Sequence, residues 1–372
     1  MTSHHLPASV LLAGGGTAGH VSPLLSLADC LRRRSPEIAV TALGTESGLE
    51  SRLVPARGYP LMVVPKVPLP RRPSPDLLRL PVSLRAAVAA AERAIDETGA
   101  EVVVGFGGYV STPAYLAARR RDVPIVVHEQ NARPGLANRL GARLTDFVAT
   151  TFPSTVLPHA VVTGMPLRIE IARLDRGARR EEALGHFGLE AGPITVLVTG
   201  GSLGAQRLNT AFEATVGVLR GAGVQVLHLT GAGKEFVPDL TGPGPTYVVR
   251  PYTDRMDLAY AAADLVVARA GANTVCELTA VGLPAVYVPL PIGNGEQRFN
   301  AADVVAAGGG LLVDDAALTP RWVHDALLPL LADRVRVDAM AEAAAGVGER
   351  DADEKLADLV AWAAARSRAG QR

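Results

Sequence analysis

A short apolar strand, a glycine-rich turn and the start of a helix follow one another twice in this chain, at Val10–Gly19 (VLLAGGGTAG) and at Val196–Ala205 (VLVTGGSLGA). Glycine lets the backbone turn sharply and approach a ligand, and the helix that follows presents N–H groups and the positive end of its dipole at the turn. One copy opening each half predicts two nucleotide-scale anion sites facing a shared cleft, and hence two diphosphate-bearing substrates. With 372 residues the chain exceeds the usual size of one core, so two domains are expected.

Around each copy, short apolar runs alternate with helical patterns, the order that builds a parallel sheet. After Val10–Ala13 comes a helix with Leu24, Leu27, Ala28 and Leu31 on one face, then strands at Ile38–Leu43, Leu61–Val64, Glu101–Gly105, Ile125–His128, Phe147–Thr150 and Val161–Thr163. The second series runs Ile194–Thr199, Gln225–Thr230, Thr246–Val249, Leu265–Ala268, Ala285–Val288 and Gly310–Val313. Such runs bounded by Gly or Pro fit strands buried on both faces. The charged, irregular stretch Pro166–Gly192 separates the series and places the boundary near Arg168–Leu174. The expected fold class is α/β, two doubly wound domains over 1–168 and 169–350. A C-terminal helix in 351–372 should dock through Leu356, Leu359, Val360 and Ala363.

Lys+Arg and Asp+Glu each number 37, so net charge gives no reason to expect nucleic acid or an acidic polymer as ligand. Cys30 and Cys276 sit far apart in apolar helical patterns with no CxxC or Cys/His cluster, which predicts reduced packing residues and no metal site. The string Asp351-Ala352-Asp353 reads as a solvated helix start. Val10–Ala13 is too short for a signal sequence and no run approaches about 18–20 apolar residues, so a chain neither secreted nor membrane-spanning is expected. Pro65–Leu84 breaks the alternation: Leu69, Leu77, Leu78, Leu80 and Leu84 are interleaved with Lys66, Arg71, Arg72, Arg79 and Arg85. That mixture suits either a proline-rich connection with a core helix or a peripheral contact with anionic lipid.

Gly14, Gly16 and Gly19 match GxGxxG between a strand and a helix. A dinucleotide site also wants an acid ending the second strand, and Glu46 comes late for that role. No Lys-Ser/Thr pair follows either loop, which argues against a P-loop NTPase. His20, directly after the first loop, is placed to act as a general base or as a cation beside a phosphate. Further polar groups gather at strand ends: Gly105–Ser111 with Gly107 and Gly108 as a second backbone donor turn, and His128-Glu129-Gln130-Asn131 as ligand contacts or as a bracket joining two loops. In the second half, Gly200–Gly204 with Ser202 suits a diphosphate, Glu277 within Arg269–Glu277 suits ribose hydroxyls, and Glu296, Gln297 and Asn300 suit a sugar.

The strings GGGTAGHVSP, GFGGYVSTP, HEQNARPGLANR, TGMPLR, TGGSLGAQRLN, RAGANTVCEL and GNGEQRFNA, in that order, resemble the MurG family of bacterial glycosyltransferases. The resemblance implies a GT-B fold of two Rossmann-like domains, an N-terminal domain for the acceptor lipid I and a C-terminal domain for the donor UDP-N-acetylglucosamine. It implies inverting transfer of N-acetylglucosamine to lipid I, giving lipid II for peptidoglycan synthesis, without a cofactor or metal. Carried over by motif, Thr17, Ala18, Gly19, Asn131, Arg168, Ser202, Thr253, Ala272, Asn273, Thr274, Val275, Cys276, Glu277 and Gln297 become donor or substrate contacts. Gly14, Gly15, Gly16, Gly107 and Gly108 become the acceptor-diphosphate site, and His20 the catalytic residue. Relatives often carry Asn in place of Met165 and Gln in place of Glu296. A lipid acceptor turns Pro65–Leu84 toward the membrane reading: a peripheral enzyme on the cytoplasmic face, with an anionic inner leaflet and other cell-wall and division proteins as partners. Alternatives are a UDP-N-acetylglucosamine 2-epimerase, a nicotinamide dehydrogenase and a non-catalytic UDP-sugar or lipid-diphosphate sensor.

Overall fold

A computed structural model describes residues 5–67, 76–201, 204–292 and 295–370. Two compact units result: 1–168 together with 350–372, and 169–349. The first carries β1 (Ser9–Ala13), β2 (Ala39–Gly44), β3 (Leu61–Val63), β4 (Val102–Gly105), β5 (Ile125–Glu129), β6 (Val148–Thr150) and β7 (Ala160–Val162), all parallel, in the order β3-β2-β1-β4-β5-β6-β7. The second carries β8 (Ile194–Thr199), β9 (Val224–Leu229), β10 (Tyr247–Arg250), β11 (Leu265–Ala268), β12 (Ala285–Tyr287) and β13 (Gly310–Leu312), parallel in the order β10-β9-β8-β11-β12-β13. Every strand expected from the sequence is present, with ends displaced by at most one residue.

The contiguous apolar runs are explained by burial on both faces. Successive strand residues point to opposite sides. Val10 and Leu12 therefore join one core with Val21, Leu24, Leu27 and Leu31 of the helix Ala18–Arg34. Leu11 and Ala13 join another with Val88, Ala91 and Ile95 of the helix Asp76–Thr98 and with Ala114 of Gly108–Arg120. In the second unit Val196 and Val198 pack with Leu208 and Phe212 of the helix Gln206–Glu213.

The C-terminal helix Ala352–Gly370 docks as its pattern requires, burying Leu356, Leu359, Val360 and Ala363 in the first core of its own unit. Asp353 and Glu354 there accept from Arg33 at 2.7 and 3.2 Å. Among the described residues, the cluster of potential ligand atoms Cys30, Asp353 and Glu354 is thus bridged by a guanidinium. Among the described residues no helix is long and apolar enough to cross a membrane.

Candidate active site

In the first unit the strand order changes direction between β1 and β4, and the turns leaving that pair lie together at the carboxyl edge, where open α/β sheets bind ligands. β1 feeds the first glycine loop and β4 feeds Gly107-Gly108. These two glycines have φ of +88° and +77°. A Cβ on Gly108 would stand 2.7 Å from the Gly15 carbonyl oxygen, and one on Gly107 would stand 3.3 Å from His20 Nε2. Close approach of the two loops therefore requires both glycines, and the His20 imidazole lies against them.

His20 Nδ1 is 3.1 Å from the Gly15 carbonyl oxygen and 3.1 Å from Thr17 Oγ1. A carbonyl only accepts, which assigns the hydrogen to Nδ1 and leaves the lone pair on Nε2, the nitrogen facing Gly107. Burial holds the imidazole below its usual 6.5, while the Gly15 hydrogen bond and the Glu50 charge pull the other way. The ring is neutral at pH 7 and Nε2 can accept a proton. Thr17 and Gly19 are exposed and Ala18 is half-buried at the start of the helix.

Glu50 was missed by the sequence reasoning. It opens the short helix Glu50–Ala56 and is fully buried beneath the first loop. Its Oε2 accepts from the Gly16 N–H at 2.8 Å, and its Oε1 accepts from the Thr45 N–H at 2.9 Å and the Thr45 hydroxyl at 2.7 Å. Burial alone would raise its pKa, but these donors outweigh it and hold the carboxyl below the ordinary range. The Gly16 amide, expected to serve a phosphate, is committed to this carboxylate instead. Glu46, the acid weighed for a ribose contact, is exposed. The available signal was a carboxylate at the first position of the helix after the second strand.

At the end of β5, side chains that sequence left between ligand contact and bracket form a bracket. His128 is fully buried; its Nε2 donates to the Gly164 carbonyl at 2.9 Å, its Nδ1 accepts from Gln130 at 3.0 Å, and burial lowers its pKa to about 4. Glu129 accepts from the N–H groups of Asn131 and Gly135 at 2.9 and 3.0 Å and from Asn138 Nδ2 at 2.9 Å, while burial pushes its pKa up. Tyr115 donates to Asn138 Oδ1 at 2.7 Å. Asn131 is half-buried at the end of this network, Arg168 is half-buried, and Met165 is 1% exposed.

In the second unit the corresponding change of direction falls between β8 and β11. Gly201 N–H donates to Thr199 Oγ1 at 3.2 Å and Gly204 N–H to the Gly201 carbonyl at 2.9 Å. A Cβ on Gly200 would overlap the Ala205 nitrogen, and one on Gly204 the Thr230 carbonyl oxygen. Ser202, expected to contact phosphate, lies outside the described residues.

Beyond β11, Gly271 caps the helix Ala272–Ala280. Ala272 and Val275 are buried, while Asn273, Thr274, Cys276 and Glu277 are half-buried. Tyr260, 1% exposed, donates to Glu277 Oε2 at 2.7 Å. Sequence reasoning missed this residue too, because a tyrosine in an apolar helical run reads as core. Thr253 is buried, and its Oγ1 accepts from the Arg255 N–H at 3.0 Å just before the helix Met256–Ala262 that carries Tyr260. Gln297 Oε1 accepts from the Leu290 N–H at 2.9 Å, Glu296 beside it is half-buried, and Asn300 Nδ2 donates to the Ala270 carbonyl at 3.3 Å. Asn300 is thereby tied to the end of β11 and Gln297 to the loop after β12.

Two doubly wound units, each with a glycine turn at its change of direction, make up a GT-B fold, and comparison with known proteins gives the class, a nucleotide-sugar transferase. The glycosyltransferase family 28 N-terminal domain matches residues 10–150 and the family 28 C-terminal domain matches residues 195–356. The chain is 58% identical over 364 residues to the UDP-N-acetylglucosamine--N-acetylmuramyl-(pentapeptide) pyrophosphoryl-undecaprenol N-acetylglucosamine transferase of Acidothermus cellulolyticus, covering 96% of this chain and 99% of the relative. It is 57% identical to the protein of that name from Streptomyces coelicolor, again over 96% and 99%. The crystal structure of Acinetobacter baumannii MurG is similar at a TM-score of 0.78 and 29% identity, over 95% of this chain and 99% of that one. A Listeria monocytogenes structure described as a UDP-N-acetylglucosamine 2-epimerase, at 15% identity and a TM-score of 0.65, shares the fold alone. The chain belongs to glycosyltransferase family 28 and, within it, to the MurG enzymes.

Proposed function

We propose that this chain transfers N-acetylglucosamine from UDP-N-acetylglucosamine to the C4 hydroxyl of the muramyl sugar of lipid I, giving lipid II with inversion at the anomeric carbon. The observation that carries this reading is the 58% identity, over nearly the whole of both chains, to a transferase named for that donor and acceptor. In the reaction the C4 oxygen forms a bond to the anomeric carbon as the bond to UDP breaks. The hydroxyl proton goes to a base, and the electron pair leaves on the diphosphate. His20 supplies the base, because its Nε2 lone pair is free of the Gly15 bond made by Nδ1. The exposed face of the first loop and Gly107-Gly108 receive the acceptor diphosphate. The second glycine loop and the helix Gln206–Glu213 behind it offset the charge building on UDP. Glu277, oriented by Tyr260, binds the ribose hydroxyls, and Gln297, held by the Leu290 amide, reads the sugar.

The acceptor's polyprenyl tail calls for a membrane surface. The predicted basic and apolar segment falls largely outside the described residues, at 68–75, with the side chains of 76–79 also undescribed. On its described flanks, Lys66 and Val82 within the segment and Arg85 just after it are exposed, Val82 by 69%. These support a peripheral contact with the anionic cytoplasmic leaflet. Replacing Arg71, Arg72 and Arg79 with Glu is expected to weaken binding to anionic vesicles, and unchanged binding would return the segment to a connection. The transfer reading is tested by incubating the protein with UDP-N-acetylglucosamine and a short-chain lipid I analogue. Formation of the disaccharide lipid is expected; epimerised UDP-sugar, or binding without turnover, would overturn it.

A further inference from the structure

We infer that Glu50 is a positioning residue for the transfer: with one carboxylate oxygen on the Gly16 amide and the other on Thr45, it sets the path of the first glycine loop. Through the Gly15 carbonyl it thereby sets the orientation of His20. The inference rests on the transfer reading above and on the assignment of His20 as base.

Three glycines make the room this carboxylate occupies. A Cβ on Gly15 or Gly48 would overlap the Glu50 carboxylate, and a Cβ on Gly44 would overlap its Cγ. The glycines come from the loop after β1, the end of β2 and the turn before the helix Glu50–Ala56, three separate pieces of chain converging on one side chain. Buried carboxylates are expensive unless their oxygens are satisfied. Here both oxygens are satisfied, and one of the donors is the backbone of the first glycine loop itself, at Gly16, whose φ of +86° few other residues tolerate. The adjoining Gly15 carbonyl is the atom that fixes the His20 tautomer. A bond that holds Gly16 therefore also holds the acceptor that selects which imidazole nitrogen is free to take a proton.

Two variants test this. In Glu50→Gln, Oε1 can still accept from Thr45, but the new amide nitrogen faces the Gly16 N–H, donor against donor. Gly15→Ala keeps the carboxylate but drives a methyl group into it. For both, kcat for the lipid I analogue is expected to fall at least tenfold while the KM for UDP-N-acetylglucosamine stays within twofold. Thermal melts should show both proteins folded at the assay temperature. Wild-type kcat in either variant overturns the inference, as does a loss of kcat that matches the fraction of protein unfolded. Should the unsubstituted chain release UDP without making the disaccharide, the transfer reading fails; the same variants are then scored on UDP release, so the two failures are told apart.

Discussion

The two glycine loops share a sequence signature and need their glycines for different reasons. Gly15 in the first makes way for a side chain, the Glu50 carboxylate, whereas Gly200 and Gly204 in the second make way for backbone, at Ala205 and Thr230. The first loop is braced from below by a buried charge and carries a histidine; the second is closed by its own amides, Gly201 on Thr199 and Gly204 on Gly201. The carboxylate buried under the first loop pulls the His20 pKa upward against burial, and so favours the imidazolium that forms when Nε2 takes a proton. Among the described residues no carboxylate lies against the glycines of the second loop, which keeps its amides and helix N-terminus favourable to an anion, as the proposed role in holding UDP requires.

The comparison breaks most readily at His20. His20→Ala is expected to lower kcat by about 10²- to 10⁴-fold, the usual worth of a positioned base, while titration with UDP-N-acetylglucosamine shows binding within a few-fold of the parent. Near-normal turnover would leave the first loop with no chemical task that the second lacks. Because burial holds the imidazole below 6.5, the fall in activity on acidification, as Nε2 is protonated, should have its midpoint below pH 6.5.

Next in size is a stability effect confined to the second loop. Gly204→Ala places a methyl group on the Thr230 carbonyl at a φ of +64°, and neither backbone segment can yield as a side-chain end can. A loss of about 3 kcal/mol or more is expected, from combined backbone strain and overlap. Chemical denaturation measures it. The two tryptophans, Trp362 in the first unit and Trp322 in the second, separate the units when each is replaced by Phe in turn. Equal destabilisation of both reporters by Gly204→Ala would mean that the units do not unfold separately.

The same reporters read a pH effect. His128 in the first unit titrates at about 4 and His228 in the second at about 3, each lowered by burial from 6.5. His228 is held between Tyr247 and Asn209 at 3.0 Å each. Between the folded and unfolded pKa the unfolded chain binds the proton and the folded chain does not, so stability is lost as pH falls below 6.5. The expected loss is roughly 2 kcal/mol per histidine by pH 5. The loss from His128 is complete near pH 4 and that from His228 continues to about 3. A Trp322 midpoint that does not change between pH 7 and pH 5 would contradict the neutral buried state of His228.

The scaffold was legible because parallel strands covered on both faces are written as contiguous apolar runs, as in Ile194–Thr199 and Leu265–Ala268, where even the ends agree. The glycine turns at the two changes of direction were legible for the same reason, since each follows such a run. Less of the site could be read. Glu50 and Tyr260 act by pointing inward at a loop and at a carboxylate, and a single sequence does not say which way a side chain on a short helix points. His128 and Glu129 were visible as polar groups at a strand end, yet only packing distinguishes a ligand contact from the bracket they form with Gly164, Asn131 and Asn138. The expectations placed on Ser202, Arg71 and Arg72 fall outside the described residues.

The smallest effect compares like with like. Gly16, the third residue after β1, and Gly201, the second after β8, are each the first left-handed glycine of their loop, with φ of +86° and +79°, and a Cβ on either would meet nothing within 4 Å. Alanine at each should therefore cost only the left-handed backbone strain, about 1–2 kcal/mol, and nearly the same at both. The amides differ, since Gly16 donates to the Glu50 carboxylate and Gly201 to the Thr199 hydroxyl. Matched in stability, the variants should separate in kinetics: Gly16→Ala lowers kcat with little change in donor KM, whereas Gly201→Ala raises donor KM. If both shift the donor KM alike, the loops serve one diphosphate between them and the asymmetry drawn from Glu50 is structural, not chemical.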